Sequence, residues 1–403
     1  MTDQGISTCN VRITGIGSVS PFGPVRGLIG PRQSRLRIIT DWPTNGARSA
    51  FLVEPFRPGD VVPGLKTRRL DRLSVWSLVA CSLALQDACI NLEAEDRSRF
   101  AVVFGTGFGC LDGTETYLRN VASYGYGKSD PIVFPETLSN SPASHVARVF
   151  GLRGPNVTLS CRGISGEAAL LQAAALLTTG EASYAVVMAG DVLSRSLFEW
   201  YEAAGVLSSR SLNGTEGSSV ESAQNDGIVP GEGLAAFVME AGDACLSRGA
   251  PVYARFRSGC MGGDPQAPAL SWGHDSRQMA ELMLRAINPA QPSDVKLVIM
   301  NSNGSPSLDA MESEAIDKVF GHGGAVETIA PKRLHGELDG NAALRLTVAL
   351  SHPGVLGHRL ACTVAGEQEV EPGMSVPADS ERLALMLGSS AGGGRATVTF
   401  LLP

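Results

Sequence analysis

The chain has 403 residues, with 33 Lys or Arg against 40 Asp or Glu, so its formal net charge at pH 7 is −7. This balance, without a polybasic run, argues against a nucleic-acid partner and against docking on an anionic membrane surface. The longest apolar runs are too short to span a bilayer. The eight cysteines are scattered without a C-x-x-C pair, and residues 1–5 lack signal-peptide features. Both observations favour a cytoplasmic protein with reduced thiols and no metal or cofactor site.

Predicted strands and helices alternate along the chain. The first half has a strand at 11–17, an irregular Pro- and Gly-rich stretch at 21–63, helices at 73–90 and 111–121, and strands at 100–105, 185–190 and 231–240. A similar series follows, with strands at 252–257, 295–300, 383–387 and 396–402 and a helix at 277–287. Because only 18% of the residues are charged, the sheets are expected to be buried under helices in an α/β fold. We predict two similar halves, residues 1–250 and 251–403.

Residues 154–166 predict a strand that turns sharply into a helix. A β-rich run at 157–160 is followed by a run of strong helix formers at 167–177. Such a turn aims one side chain at the N–H groups of the helix start, where an enzyme would place a nucleophile. This chain has Gly163 there, which has no side chain.

The sequence resembles the β-ketoacyl synthases of fatty-acid and polyketide assembly nearly from end to end. The resemblance implies a thiolase-like α/β fold, in which two similar βαβαβ halves form a layered α-β-α-β-α domain. By the same resemblance, the first half carries interface and cap insertions. The segments that carry it, in the family's order, are residues 11–23, 134–145, 150–155, 225–233, 309–315 and 331–332.

The family's reaction needs a cysteine, which takes the acyl chain as a thioester, and two histidines, which stabilise the enolate formed on decarboxylation. The resemblance places Gly163 at the cysteine of Cys-Ala-Ser-Gly. Asn301 stands at the first histidine and Glu337 at the second. The phenylalanine that gates the family's site is also absent, at Gly392.

Each replacement can be judged by its chemistry. Glycine forms no thioester, Asn301 does not titrate near neutral pH, and an ionised Glu337 would repel an enolate. We therefore predict a pseudoenzyme with no catalytic residue of its own.

Within this family, the pattern is similar to the chain-length factors of type II polyketide synthases. The resemblance implies a heterodimer, or a dimer of heterodimers, with a catalytic ketosynthase, and a polyketide chain delivered on an acyl carrier protein. The tunnel for that chain would run along the shared interface. Known members often have Gln where this chain has Gly163. The Gly and Glu replacements are more similar to partners of polyene-type, highly reducing synthases than to those of aromatic ones.

The resemblance also gives tunnel and interface candidates, whose alternative role is ordinary packing. They are Thr114, Val133, Phe134 and Thr137. A further hypothesis is that Glu337 pairs with a basic side chain and fills the vacated pocket, with Arg162, Lys332 and Arg345 as the possible cations.

Two alternative functions stay open at this point. One is a divergent condensing or decarboxylating ketosynthase that uses Cys161, two residues before Gly163, or His335, two residues before Glu337. The other is a homodimeric protein that binds acyl thioesters without reacting with them.

Overall fold

A computed structural model describes residues 6–30, 36–39, 42, 48–209, 226–242, 244–323, 326–352, 355 and 381–403. Within these residues no helix is long and apolar enough to cross a membrane. The strands are β1 Ile6–Ser20, β2 Gly23–Arg26, β3 Leu36–Ile39, β4 Arg48–Phe51, β5 Phe100–Gly105, β6 Asn156–Leu159, β7 Tyr184–Asp191, β8 Gly233–Ala241, β9 Ala254–Gly263, β10 Val295–Ile299, β11 Glu327–Ile329, β12 Arg382–Ser389 and β13 Gly394–Leu402. The helices are α1 Pro58–Val61, α2 Arg72–Asp87, α3 Leu111–Tyr124, α4 Ser141–Phe150, α5 Ser165–Thr178, α6 Arg195–Ala203, α7 Ala244–Ser247, α8 Ser276–Ile287, α9 Pro306–Phe320, α10 Lys332–His335 and α11 Ala342–Leu350.

One connected sheet runs through the molecule, and its two halves repeat one pattern. The strand order is β11-β10-β12-β13-β9-β1-β8-β7-β5-β6. Outward from β1, the pairings β1–β8 and β8–β7 are antiparallel, and β7–β5 and β5–β6 are parallel. Outward from β9, the pairings β9–β13 and β13–β12 are antiparallel, and β12–β10 and β10–β11 are parallel. The predicted pair of similar halves is therefore present in the strand topology.

A middle hydrophobic core and two outer cores lie among five layers of helices and strands. Helices α5 and α11 are buried in the middle core and pack against strands of both halves. Helices α2 and α4 cover the outer face of the first half, and α8 and α9 cover that of the second. The arrangement is the α-β-α-β-α layering that the resemblance implied. It is stable because the apolar faces of each sheet half and of the central helices are all removed from water.

Most of the predicted helices and strands are present in the structure. The prediction that residues 21–63 are irregular is wrong. This region contains β2, which pairs with β1, and the hairpin of β3 and β4. These strands are only four residues long and their polar residues do not alternate with apolar ones, so no period-2 pattern marks them. Helix α2 also ends at Asp87, three residues before the predicted end, and Cys89 has a φ of 54° just beyond it.

Candidate functional site

The carboxyl ends of the parallel strands bring the predicted site residues to one region. Gly163 lies in the turn between β6 and α5, and Asn301 lies two residues after β10. Glu337 lies in the loop between α10 and α11. Loops after parallel strands gather at the same edge of a sheet, which is the usual place for a site in this class of fold.

Gly163 is buried beneath the chain segment at the end of β12, Ser389 and Ser390. A Cβ atom on Gly163 would lie 2.6 Å from the Ser389 carbonyl oxygen and 3.2 Å from Ser390 Cα. Both obstructing atoms belong to the backbone, so a side chain at this position requires the segment to move. The left-handed residue of the turn is its neighbour Arg162, whose φ is 51°. The sequence offers no signal for that choice.

Asn301 is fully buried and holds the same segment in place. Its Nδ2 donates to the Ser389 carbonyl oxygen over 3.2 Å, and its backbone N–H donates to Glu312 Oε2 over 3.0 Å. Burial raises the pKa of Glu312 to about 7. Asn301 and Gly163 are thus linked through one carbonyl group, that of Ser389.

Glu337 is buried and ion-paired. Its Oε2 accepts hydrogen bonds from Lys332 Nζ at 2.7 Å and from Asn303 Nδ2 at 2.6 Å. The predicted pairing with a cation is therefore confirmed, and the cation is Lys332. Stabilisation of an enolate requires donors aimed at the oxygen that gains charge. Here Glu337 engages the Lys332 and Asn303 donors, and the Ser389 carbonyl engages the amide of Asn301.

The other two proposed cations lie elsewhere. Arg345 pairs with Glu167, and both side chains are fully buried between α11 and α5. Its Nη1 also donates to the Leu387 carbonyl oxygen over 2.6 Å. Arg162 is exposed and forms no ion pair among the described residues. Because a buried charge needs a partner, the Arg345–Glu167 pair is a structural link between the two central helices.

Sequence reasoning missed two carboxylates of this region, of which Asp339 lies next to Gly163. Asp339 is partly buried between Gly107 and Gly163, and a Cβ atom on Gly163 would lie 3.4 Å from its Oδ1. Burial and the nearby Glu337 carboxylate raise the pKa of Asp339 to about 7. Asp191, at the end of β7, accepts from the Gly107 N–H at 2.8 Å and the Phe108 N–H at 2.9 Å, and burial raises its pKa to about 7. The position of Asp191 at a strand's carboxyl end was the available signal.

The two residues of the alternative enzyme are differently placed. His335 lies on α10 with only 1% of its surface exposed. Burial, together with the charges of Lys332 and Arg345, lowers its pKa to about 3, so the ring is neutral at pH 7. Cys161 is half-buried just after β6 and has a free thiol. Its backbone N–H donates to Ser165 Oγ over 2.8 Å, which fixes the start of the turn.

The tunnel and interface candidates form a separate group on α3 and the 3₁₀ turn Phe134–Thr137. Thr114 Oγ1 donates to the Cys110 carbonyl oxygen over 2.9 Å and lies 3.3 Å from the Thr137 carbonyl oxygen. The rings of Tyr117 and Phe134 lie 5.7 Å apart. Val133 precedes this turn and is half-buried. No residue of α3 is fully buried. Large apolar side chains of this region reach water in the isolated chain, namely Leu118, Tyr124, Tyr126, Ile132, Phe134 and Leu138.

Gly392 lies in the exposed turn between β12 and β13. Its φ is 85°, and its N–H donates to the Ser271 carbonyl oxygen over 2.9 Å. A phenylalanine here would need the left-handed conformation that bulky residues avoid. This backbone therefore suits glycine. Among the described residues no group of three His, Cys, Asp or Glu could hold a metal ion.

Comparison with known proteins decides the family. Residues 42–244, about half of the chain, match the family described as beta-ketoacyl synthase, N-terminal domain. The chain belongs to the β-ketoacyl synthase family. A 3-oxoacyl-[acyl-carrier-protein] synthase 2 of Vibrio cholerae is 27% identical over 348 residues, covering 84% of each chain. The chloroplastic 3-oxoacyl-[acyl-carrier-protein] synthase I of Arabidopsis thaliana is 26% identical over 354 residues, covering 82% of this chain and 72% of the relative.

Solved structures share the ketosynthase fold over nearly the whole chain. The ishigamide ketosynthase/chain length factor has a TM-score of 0.77 at 21% identity, covering 98% of this chain and 99% of that one. A beta-ketoacyl synthase from Burkholderia phymatum has a TM-score of 0.78 at 20% identity, covering 99% and 100%. The ketosynthase complex AntDE:AntF, which includes an acyl-carrier protein, has a TM-score of 0.74 at 21% identity, covering 98% and 99%. At these identities the likeness establishes the fold alone.

Proposed function

We propose that this chain is a non-catalytic, ketosynthase-like chain-length factor. It heterodimerises with a catalytic β-ketoacyl synthase, and its surface helps to shape the tunnel that limits polyketide length. The partner supplies the cysteine and both histidines, and an acyl carrier protein delivers the growing chain. The likeness to a ketosynthase/chain length factor and to a type II polyketide synthase complex supports this assignment.

The observation that carries the proposal is the crowding around Gly163 by backbone atoms. The position has no side chain, and the Ser389 carbonyl oxygen lies only 2.6 Å from where a Cβ atom would be. At the position of the second histidine, a buried Lys332–Glu337 ion pair engages the Asn303 amide. A thioester needs a nucleophile and room for it, and an enolate needs free donors, so this geometry favours a structural subunit over an enzyme.

The exposed apolar side chains between the start of α3 and the Phe134–Thr137 turn support the proposal that this chain binds a partner subunit. Leu118 is 57% exposed, Tyr126 83% and Phe134 51% in the isolated chain. A group of exposed apolar and aromatic side chains is typical of a protein interface, in which aromatic residues are enriched. It contains the residues that the family resemblance assigned to the interface and tunnel.

The proposal is tested by measuring which of the two subunits becomes acylated. The chain is co-expressed with a catalytic ketosynthase that retains the Cys and both His, and the complex is incubated with acetyl and malonyl thioesters of the acyl carrier protein. We expect a stable complex on size exclusion and, by intact-protein mass spectrometry, an acyl adduct on the ketosynthase alone.

Other outcomes contradict the proposal and separate the alternatives. An acyl adduct on this chain that disappears in the Cys161→Ala variant supports the divergent enzyme. A stable homodimer that binds acyl thioesters and ignores the ketosynthase supports the acyl-thioester-binding protein.

A further inference from the structure

Strand β6 leaves one side of the sheet open. Among the described residues it pairs only with β5, so its outer edge faces no other strand. Asn156 is exposed and the other three residues of the strand are half-buried. An open edge offers unpaired backbone groups to a strand of another chain.

The charged residues of the chain segment that contains this edge strand are all arginines. Residues 137–166 contain no Asp or Glu, although the whole chain has a net charge of −7. Arg148, Arg153 and Arg162 are exposed, and none of them has a carboxylate within ion-pair distance in the described part of the chain. Arg148 instead donates to His145 Nδ1 over 2.9 Å. Two carboxylates are close enough for the arginines to lower their pKa values: Arg153 acts on Asp96, and Arg162 acts on Asp339.

Arg162 also has an unfavourable backbone. Its φ of 51° is left-handed, a conformation that costs a non-glycine residue energy and that marks functional positions more often than others. Glycine would relieve this cost. The chain instead keeps a guanidinium group on the strained residue, at the exposed end of the edge strand.

The two arginines are placed symmetrically about the strand. Arg153 lies three residues before Asn156, and Arg162 lies three residues after Leu159. If two copies of this chain paired their β6 edges in antiparallel fashion, Arg162 of each copy would approach Arg153 of the other. A twofold interface repeats each contact, so the repulsion would occur at both ends of the paired strands.

We propose that the β6 edge selects the partner: its arginines exclude a second copy of this chain and fit a ketosynthase-fold subunit whose facing edge carries carboxylates. This inference rests on the proposed function, because it supplies the chemistry by which a heterodimer forms in place of a homodimer. Like charges that face each other in an interface disfavour the wrong partner, and opposite charges favour the right one.

Charge reversal on this chain alone tests the inference without the natural partner. The variant Arg153→Glu places a carboxylate opposite Arg162 in both halves of a symmetric dimer. We expect it to self-associate at least about tenfold more tightly than the wild type in sedimentation velocity, and to lose that gain between about 0.05 M and about 0.5 M NaCl.

A double variant tests whether opposite charges at these two positions are enough to form a mixed dimer. In Arg153→Glu/Arg162→Asp both positions are acidic, and aspartate tolerates the left-handed backbone of residue 162. We expect this variant to remain as weakly associated as the wild type by itself, but to form a 1:1 complex with the wild type. The control Arg277→Glu/Lys296→Glu makes the same change of charge at exposed positions of α8 and β10, and should show neither effect.

Two results would overturn the inference. One is a wild-type homodimer as tight at low salt as the mixed complex. The other is a folded Arg153→Glu variant, verified by circular dichroism, that associates no more tightly than the wild type. Either result leaves the acyl-adduct test unaffected, so failure of the edge and failure of the proposed function can be told apart.

Discussion

Lys332 Nζ and Glu337 Oε2 lie 2.7 Å apart, with only 1% and 3% of their side chains exposed. A buried pair of this kind is sensitive to the loss of one member, because the remaining charge keeps its desolvation penalty and has no partner. The pair also occupies the position at which the family's second histidine is expected.

Removal of either charge should therefore destabilise the fold. We expect Lys332→Met and Glu337→Gln each to lower the free energy of unfolding by about 3 kcal/mol. The double variant should lose clearly less than the two losses added together, because no unpaired charge remains. Urea titration of all four proteins measures the coupling. Additive losses would show that the pair is not a unit.

Restoring a side chain at residue 163 should cost stability and bring no activity. Gly163→Ala and Gly163→Cys both add a Cβ atom 2.6 Å from the Ser389 carbonyl oxygen. We expect each to lower the free energy of unfolding by about 1–3 kcal/mol. The control is Gly59→Ala, where a Cβ atom meets nothing within 4 Å. A Gly163→Cys variant that matched the wild type in stability and accepted an acyl group would contradict the closed geometry.

The raised pKa of Asp339 predicts a dependence of stability on pH. Burial raises the pKa of Asp339 from its ordinary value of 3.8 to about 7 in the folded protein. Between these values the folded state binds more protons than the unfolded state, so stability falls as the pH rises from about 4 to about 7.

Asp339→Asn removes that penalty. We expect it to raise the free energy of unfolding at pH 8 by about 1–3 kcal/mol and to change it little at pH 4. Denaturant unfolding at the two pH values measures the difference. Glu281→Gln, which neutralises an exposed carboxylate on α8, controls for the change in net charge. Equal effects of Asp339→Asn at both pH values would argue against the raised pKa.

Exposed apolar residues should matter for assembly and not for the isolated chain. Leu118→Ser and Phe134→Ser alter side chains that are 57% and 51% exposed. We expect a change in unfolding free energy of about 0.5 kcal/mol at most, and a loss of affinity for the ketosynthase of about tenfold or more. Leu270→Ser, at a residue that is 65% exposed, is the control. Calorimetric titration with the partner would separate these cases, and equal affinities would remove this surface from the interface.

A larger side chain at Thr114 should shorten the product, if the proposed tunnel lies here. Thr114 Oγ1 lies 3.3 Å from the Thr137 carbonyl oxygen, so Thr114→Phe both adds volume and shifts the Phe134–Thr137 turn. We expect products that are shorter by at least one extension step, measured by mass spectrometry of the reconstituted complex. Thr114→Val removes the hydroxyl group, which donates to the Cys110 carbonyl oxygen, without adding bulk, and should retain the wild-type product. An unchanged distribution with Thr114→Phe would remove Thr114 from the tunnel.

Much of the architecture could be predicted from the sequence because buried strands and glycine turns have strong local signals. The run at 100–105 is β5, and the helix predicted at 277–287 begins one residue earlier, at Ser276. The hairpin of β3 and β4 lacks such a signal, since each strand is short and partly polar. Local patterns therefore located the layers but not the small strands at their margin.

The contents of the site were harder to predict, since they depend on distant parts of the chain. The identity of Gly163 predicts a missing side chain, but the oxygen above it comes from Ser389, more than two hundred residues later. Three cations could have paired with Glu337, and only the fold shows that Arg345 is engaged by Glu167. Asp339 lies two residues after Glu337 and carried no pattern of its own.

Strand β1 has a consequence for how the molecule holds together. Its residues pair with β8 along one edge and with β9 along the other, and β8 and β9 belong to different halves. A break between residues 250 and 251 would leave the second half without the strand that completes its sheet, and would uncover the core around α5 and α11. We therefore expect the two halves to unfold together in one cooperative transition, and neither half to remain folded without the other.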